Sequence, residues 1–142
     1  MIRYRALLCA AFIIPAACSF GDPLVGEFTG QLVGHTHAKN DEVGRFRVSK
    51  QGQQYHLSIW NERSSGWRDL PAALDSCSPE LLSGFLGENR QELAPEGACS
   101  KDVMLFHARK GDSIPSLKTS AYALVVGGPF GGGGVFDLHK VN

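Results

Sequence analysis

Excess charge of either sign is what this sequence most plainly lacks: fourteen Lys and Arg balance fourteen Asp and Glu across 142 residues. The basic residues are also scattered among acids. This excludes bulk electrostatic binding of nucleic acid, which needs many cations gathered against phosphates. A spanning apolar run is missing too, because Ala6 to Ile14 is too short to cross a bilayer. There is no Gly-x-Ser-x-Gly elbow, and the carboxylates are too dispersed for an acid/base pair to be assigned. The expectation is a non-enzymatic protein without a cofactor. With no internal repeat or linker, a chain of this length has material for one core.

What is present begins with an unusual first twenty residues. Arg3 and Arg5 give a positive start, Ala6 to Ile14 an apolar stretch, and Ala16, Ala17 and Cys18 a small-residue ending. That is the layout of a secretory signal over residues 1–17, with a single β-rich domain over 18–142. Its removal leaves twelve basic against fourteen acidic residues. The tetrapeptide Pro15-Ala16-Ala17-Cys18 resembles the lipobox of bacterial lipoproteins, with Pro15 standing where that family usually has Leu. The resemblance covers the signal alone. It implies that Cys18 becomes the lipidated first residue, tethering the protein to a membrane of the bacterial envelope, in the periplasm, without a spanning helix.

Two cysteines remain in the body, Cys77 and Cys99. In an exported chain they most simply pair as a disulfide. Around them the patterning is mostly period two. Residues 24–33 alternate, and Phe46 and Val48 alternate with Arg45 and Arg47. A turn at Lys50-Gln51-Gly52-Gln53 leads to Tyr55, Leu57 and Ile59, so the two runs predict an antiparallel hairpin. Asn61 to Gly66 reads as a polar loop and Trp67 to Leu70 as a short extended piece. Ser78-Pro79-Glu80 starts a short helix with Leu81, Leu82, Phe85 and Leu86 at helical spacing. Glu88 to Asp102, broken by Pro95 and Gly97, reads as a loop tied back by Cys99. Strands are expected again at Val103–Arg109, Thr119–Val126 and Val135–Val141. The fold class is therefore mainly β, a small antiparallel barrel-like or sandwich domain with one inserted helix.

The candidate functional residues come from what this pattern leaves over. The Gly127 to Gly134 run lacks the Lys and Ser or Thr of a phosphate loop and leads into a β-like segment. It reads as a hairpin loop with Phe130 as its contact residue. His35 and His37, two apart and near Asp41 and Glu42, are weak metal candidates, and solvated loop histidines are the commoner outcome. Trp60 falls on the strand face opposite Tyr55, Leu57 and Ile59. With Arg63 and Trp67 it forms the expected anchor for a protein partner, since exposed Trp and Arg dominate binding energies. Arg45 and Arg47 read as a separate, solvated face. The leading expectation is an envelope-anchored binding protein of inhibitor or immunity type with a protein partner. A carrier of a small apolar ligand, lined by Phe28, Phe46, Tyr55 and Leu57, is the alternative, and metal binding through His35 and His37 a third. Mass analysis of protein purified from membranes is expected to find Cys18 as a lipidated N-terminus; an unmodified N-terminus beyond residue 18 would refute this.

Overall fold

The computed structural model describes residues 21–33, 43–87, 93, 95–127 and 133–141. Cys18, His35, His37 and Phe130 lie outside them, as does the signal segment. Among the described residues the chain forms β1 (Gly26–Leu32), β2 (Val43–Gln51), β3 (Gln54–Asn61), β4 (Gly66–Asp69) and β5 (Asp75–Ser76). After helix α1 (Pro79–Leu86) come β6 (Pro95–Cys99), β7 (Val103–Ala108), β8 (Ser113–Ile114), a 3-10 turn at Pro115–Leu117, β9 (Thr119–Ser120), β10 (Tyr122–Val126) and β11 (Gly134–Lys140). Nine strands make one antiparallel sheet in the order β4-β3-β2-β1-β11-β10-β7-β6-β5, and β8 and β9 form a separate pair. The fold is mainly β and barrel-like, with one short helix, as the sequence patterning predicts.

The sheet curls into a half-barrel, and one isolated bridge links its two sides. Tyr55 and Leu74 exchange both backbone hydrogen bonds, at 2.9 and 2.8 Å, and Leu74 leads directly into β5 on the edge of β6. The segment after β4 thus crosses from the β3 side of the sheet to the β6 side. Inside the curl lie Phe28, Phe46, Val48, Leu57, Leu105, Leu124 and Leu138, all buried. Two glycines make room for the largest of them. A Cβ on Gly30 would stand 2.7 Å from both Leu138 and Phe46, and one on Gly44 would stand 2.8 Å from Phe46. Phe46 also meets Phe136 edge-on at 5.4 Å, and Phe28 meets Tyr122 at 5.2 Å. The four residues expected to line a ligand cavity, Phe28, Phe46, Tyr55 and Leu57, are buried in this packed cluster.

A second apolar cluster covers the outside of β7 and β10. Leu82 and Leu86 of α1 pack there with Phe106, Ile114, Ala123 and Val125. Strand β7 is consequently buried on both faces, and so its sequence is a continuous apolar run rather than an alternation. Helix α1 starts as its sequence predicts. The Ser78 Oγ accepts the Leu81 N–H at 3.2 Å, Pro79 occupies the first turn, and Gly87 ends the helix at φ 69°.

Two expectations need correction. Residues 95–99 do not belong to a loop: they form β6, which pairs with β7 from Pro95↔Ala108 to Cys99↔Met104. Pro95 is tolerated because it opens the strand. Gly97 is required because a Cβ there would lie 2.7 Å from the Cys77 Sγ. The stretch expected as one strand over Thr119–Val126 is divided into β9 and β10.

Cys77 and Cys99 are bonded, with Cα atoms 4.9 Å apart and a sequence separation of 22. The bond fastens the start of α1 to β6, beside the hydrogen bond from the Cys77 N–H to the Gly97 carbonyl. In the chain-entropy description a loop of this length is worth about 3 kcal/mol. Replacing both cysteines by Ser is expected to lower stability by about 2–5 kcal/mol, measured as a fall in denaturant midpoint. Two titratable thiols in the native protein would contradict the pairing.

Candidate functional site

The outer face of β1–β4 carries a ladder of arginine and tryptophan that follows directly from register. Gln51 pairs with Gln54 across the β2–β3 turn, so Arg47 faces Ser58 and Arg45 lies across from Trp60. On the next pair Trp60 faces Trp67, and on the other side Arg47 faces Glu27. The two indoles meet edge-to-face with centroids 5.4 Å apart. The Arg45 guanidinium lies 4.9 Å from the Trp60 ring and 5.5 Å from that of Trp67, and Arg47 lies 4.1 Å from Trp67. Arg47 is held from behind by Glu27 at 2.8 Å, and Ser58 donates to Asp69 at 2.5 Å.

Each contact is modest. Exposed cation–π pairs contribute about 0.5–1 kcal/mol, and an aromatic pair about 0.5–1.5 kcal/mol beyond its burial. Their combined effect is to hold four large side chains in one arrangement, half-buried for the tryptophans and exposed for the arginines. Strand alternation puts Trp60 on the face opposite Tyr55, Leu57 and Ile59, as in the structure, but the sequence reading gave Trp67 no face and set Arg45 and Arg47 apart from both. The structure joins all four. Counting residues from the Gly52 turn was the signal that would have found this.

Arg63 sits in the turn between β3 and β4. The Asn61 side-chain oxygen accepts the N–H of Arg63 at 2.9 Å and that of Ser64 at 3.3 Å, and Ser65 takes a left-handed conformation at φ 50°. A short side-chain cap of this kind fixes the turn rather than leaving it loose. Beneath it is an open groove of about 630 Å³ lined by Ile59, Trp60, Asn61, Glu62, Arg63, Arg68 and Leu70. By strand alternation Ile59 and its partner Arg68 lie on the face opposite the tryptophans. The β3–β4 hairpin thus presents the arginine–tryptophan ladder on one side and Ile59 and Arg68 on the other, with the groove reaching round the turn to Trp60.

A second group of polar side chains stands at the opposite end of the curl. Asp22 accepts from the Tyr55 hydroxyl at 2.5 Å, from Lys50 at 2.9 Å and from the Leu24 N–H at 3.1 Å. Burial pushes the Asp22 carboxyl up, but the three hydrogen bonds outweigh it and leave the group below its ordinary value. The hydrogen bond to Asp22 raises Lys50, and burial first, then Asp22, raises Tyr55. Nearby on β6 and β7, Glu96 contacts the His107 Nδ1 at 3.1 Å and Arg109 at 2.8 Å, and His107 stacks on Tyr122 at 4.2 Å. The members of each group satisfy one another, and the Glu96–His107–Arg109 group was not foreseen because residues 95–99 did not read as a strand.

Because the folded Asp22 carboxyl ionises at lower pH than in the unfolded chain, its stabilisation is complete above the unfolded value near pH 4. It is lost as pH falls through the lowered folded value. Asp22→Asn is therefore expected to be less stable than the parent at neutral pH, with the difference narrowing in strong acid. Denaturant midpoints across pH check this; an unchanged difference would show that the ionised form contributes nothing.

In comparisons with family models, curated proteins and solved structures nothing matches this chain, which leaves the geometry of its surface as the ground for a function.

Proposed function

We propose that this is a non-enzymatic binding protein of the bacterial envelope, exported, held to a membrane by lipid on Cys18, and acting on a protein partner as an inhibitor or immunity-type protein. The observation that carries the reading is the fixed Arg45–Trp60–Trp67–Arg47 surface beside the Arg63 turn and its groove. Trp and Arg are the side chains that most often dominate protein–protein affinity, and here their rotamer freedom is spent before any partner arrives. The packing of Phe28, Phe46, Tyr55 and Leu57 against one another in the core supports a surface role for the domain over that of an apolar-ligand carrier.

The test is capture of a partner from envelope extract, followed by direct binding measurements with the purified pair. Trp60→Ala, Trp67→Ala and Arg63→Ala are expected to include at least one loss above about 2 kcal/mol. Arg45→Ala/Arg47→Ala is expected to weaken binding as well, since both guanidiniums rest on the indoles. Phe130→Ala tests the glycine-rich loop in the same assay. Each variant is first shown to be folded by its far-UV spectrum and denaturant midpoint. If all of these folded variants bind as tightly as the parent, the surface is not the recognition site.

A further inference from the structure

The free edge of β4 goes further than the side chains around it. The Leu70 N–H bonds the Leu57 carbonyl at 2.9 Å, which makes 57/70 a hydrogen-bonded pair. Antiparallel pairs alternate, so Ile59↔Arg68 and Asn61↔Gly66 are bonded pairs as well, while Ser58↔Asp69 and Trp60↔Trp67 are not. Trp67 and Asp69 therefore turn their N–H and C=O groups away from β3. Among the described residues no strand takes them up, because β4 ends the sheet order. Edge strands with unpaired backbone groups are templates for another chain unless Pro, Lys or a bulge blunts them. Gly66-Trp67-Arg68-Asp69 has no Pro, Lys or bulge, and the protection it does carry is its short length and the charges of Arg68 and Asp69, which an oppositely charged strand would satisfy.

The side chains on either side of this edge say what chemistry would fit. Arg45, Arg63 and Arg68 form no ion pair among the described residues, whereas Arg47 and Arg109 each hold a carboxylate. Arg45 belongs to the tryptophan face, while Arg68 and Arg63 line the groove with Ile59 and Leu70. A strand laid along β4 sends alternate side chains to these two faces. Both faces offer apolar contact, and the groove face adds Arg63 and Arg68, which hold no carboxylate among the described residues.

We infer that β4 receives an extended, acidic segment of the partner protein as an additional strand. Backbone groups of Trp67 and Asp69 supply the ladder, and Arg63 and Arg68, which hold no carboxylate among the described residues, select carboxylates on alternate residues. Such strand addition derives affinity from main-chain hydrogen bonds and selectivity from the side-chain faces. The inference rests on the protein-binding reading above, and its test is arranged so that the two can fail separately.

The probes are two synthetic octapeptides, one alternating Glu and Val and one alternating Lys and Val. The chain contains two tryptophans, Trp60 and Trp67, and both lie at the site, so intrinsic fluorescence reports binding there. The Glu–Val peptide is expected to bind at least about tenfold more tightly than the Lys–Val peptide, and to slow amide hydrogen exchange at Trp67 and Asp69. Asp69→Pro removes one outward N–H without touching the β3 ladder and is expected to abolish binding. Asp69→Ala, which loses only the Ser58 contact, retains it. Arg63→Glu/Arg68→Glu is expected to reverse the preference between the peptides, an outcome that does not depend on the proline variant folding. No saturable change with the Glu–Val peptide, or equal binding of both, overturns strand addition. If a captured partner tolerates Asp69→Pro but not Trp60→Ala, strand addition is wrong and the protein-binding reading stands.

Discussion

Two backbone hydrogen bonds between Tyr55 and Leu74 carry more of this structure than their number suggests. They join the β3 side of a curled sheet to the segment that feeds β5 and β6, and thereby decide which face is interior. With that junction made, Phe28, Leu57, Leu105 and Leu138 share one enclosed core. The same junction buries Tyr55, whose hydroxyl then reaches the Asp22 carboxylate and brings Lys50 with it. Without it, the sheet would be an open ribbon with a long apolar face toward water, a form that few soluble proteins maintain.

Closure at Leu74 also explains why the outer edge of the β3–β4 hairpin is left unpaired among the described residues. Strand β4 runs beside β3 before the chain turns toward β6, so its outer edge is left outside the ladder that completes the curl. A rigid body of this kind is well suited to holding an aromatic pair in place. The tryptophans are backed by β2, β2 is backed by β1, and Glu27 on β1 orients the guanidinium that covers Trp67. Positioning thus passes through three neighbouring strands to reach the surface.

Much of this was legible in the sequence, in proportion to how local the controlling interaction was. The hairpin around Gly52, the outward direction of Trp60 and the Ser78 cap each depend on a few consecutive residues, and each was readable. The grouping of Arg45 and Arg47 with the tryptophans needed only the register of that hairpin, yet composition drew attention to the charges instead. Strand β6 was a harder case. Pro95 and Gly97 are breakers when read alone, and only the disulfide packed over Gly97 and the pairing with Phe106 explain why a glycine belongs there. The Glu96–His107–Arg109 group was invisible for the same reason, since its members meet only when β6 pairs with β7.

The placement of β1 between β2 and β11 has a consequence for how the chain acquires its fold. Phe28 pairs with Lys140, and the Lys140 ammonium reaches the Pro23 carbonyl across 117 residues of sequence. The β1–β2–β3 meander can form early from neighbouring segments, but its inner face of Phe28, Phe46 and Leu57 has no cover until β11 arrives. Loop closure over such a separation is an entropic cost met before its contacts reward it. A chain still being synthesised therefore holds an incomplete sheet with an open edge at β1, and the period before β11 docks is when the protein is most exposed to aggregation or to a chaperone.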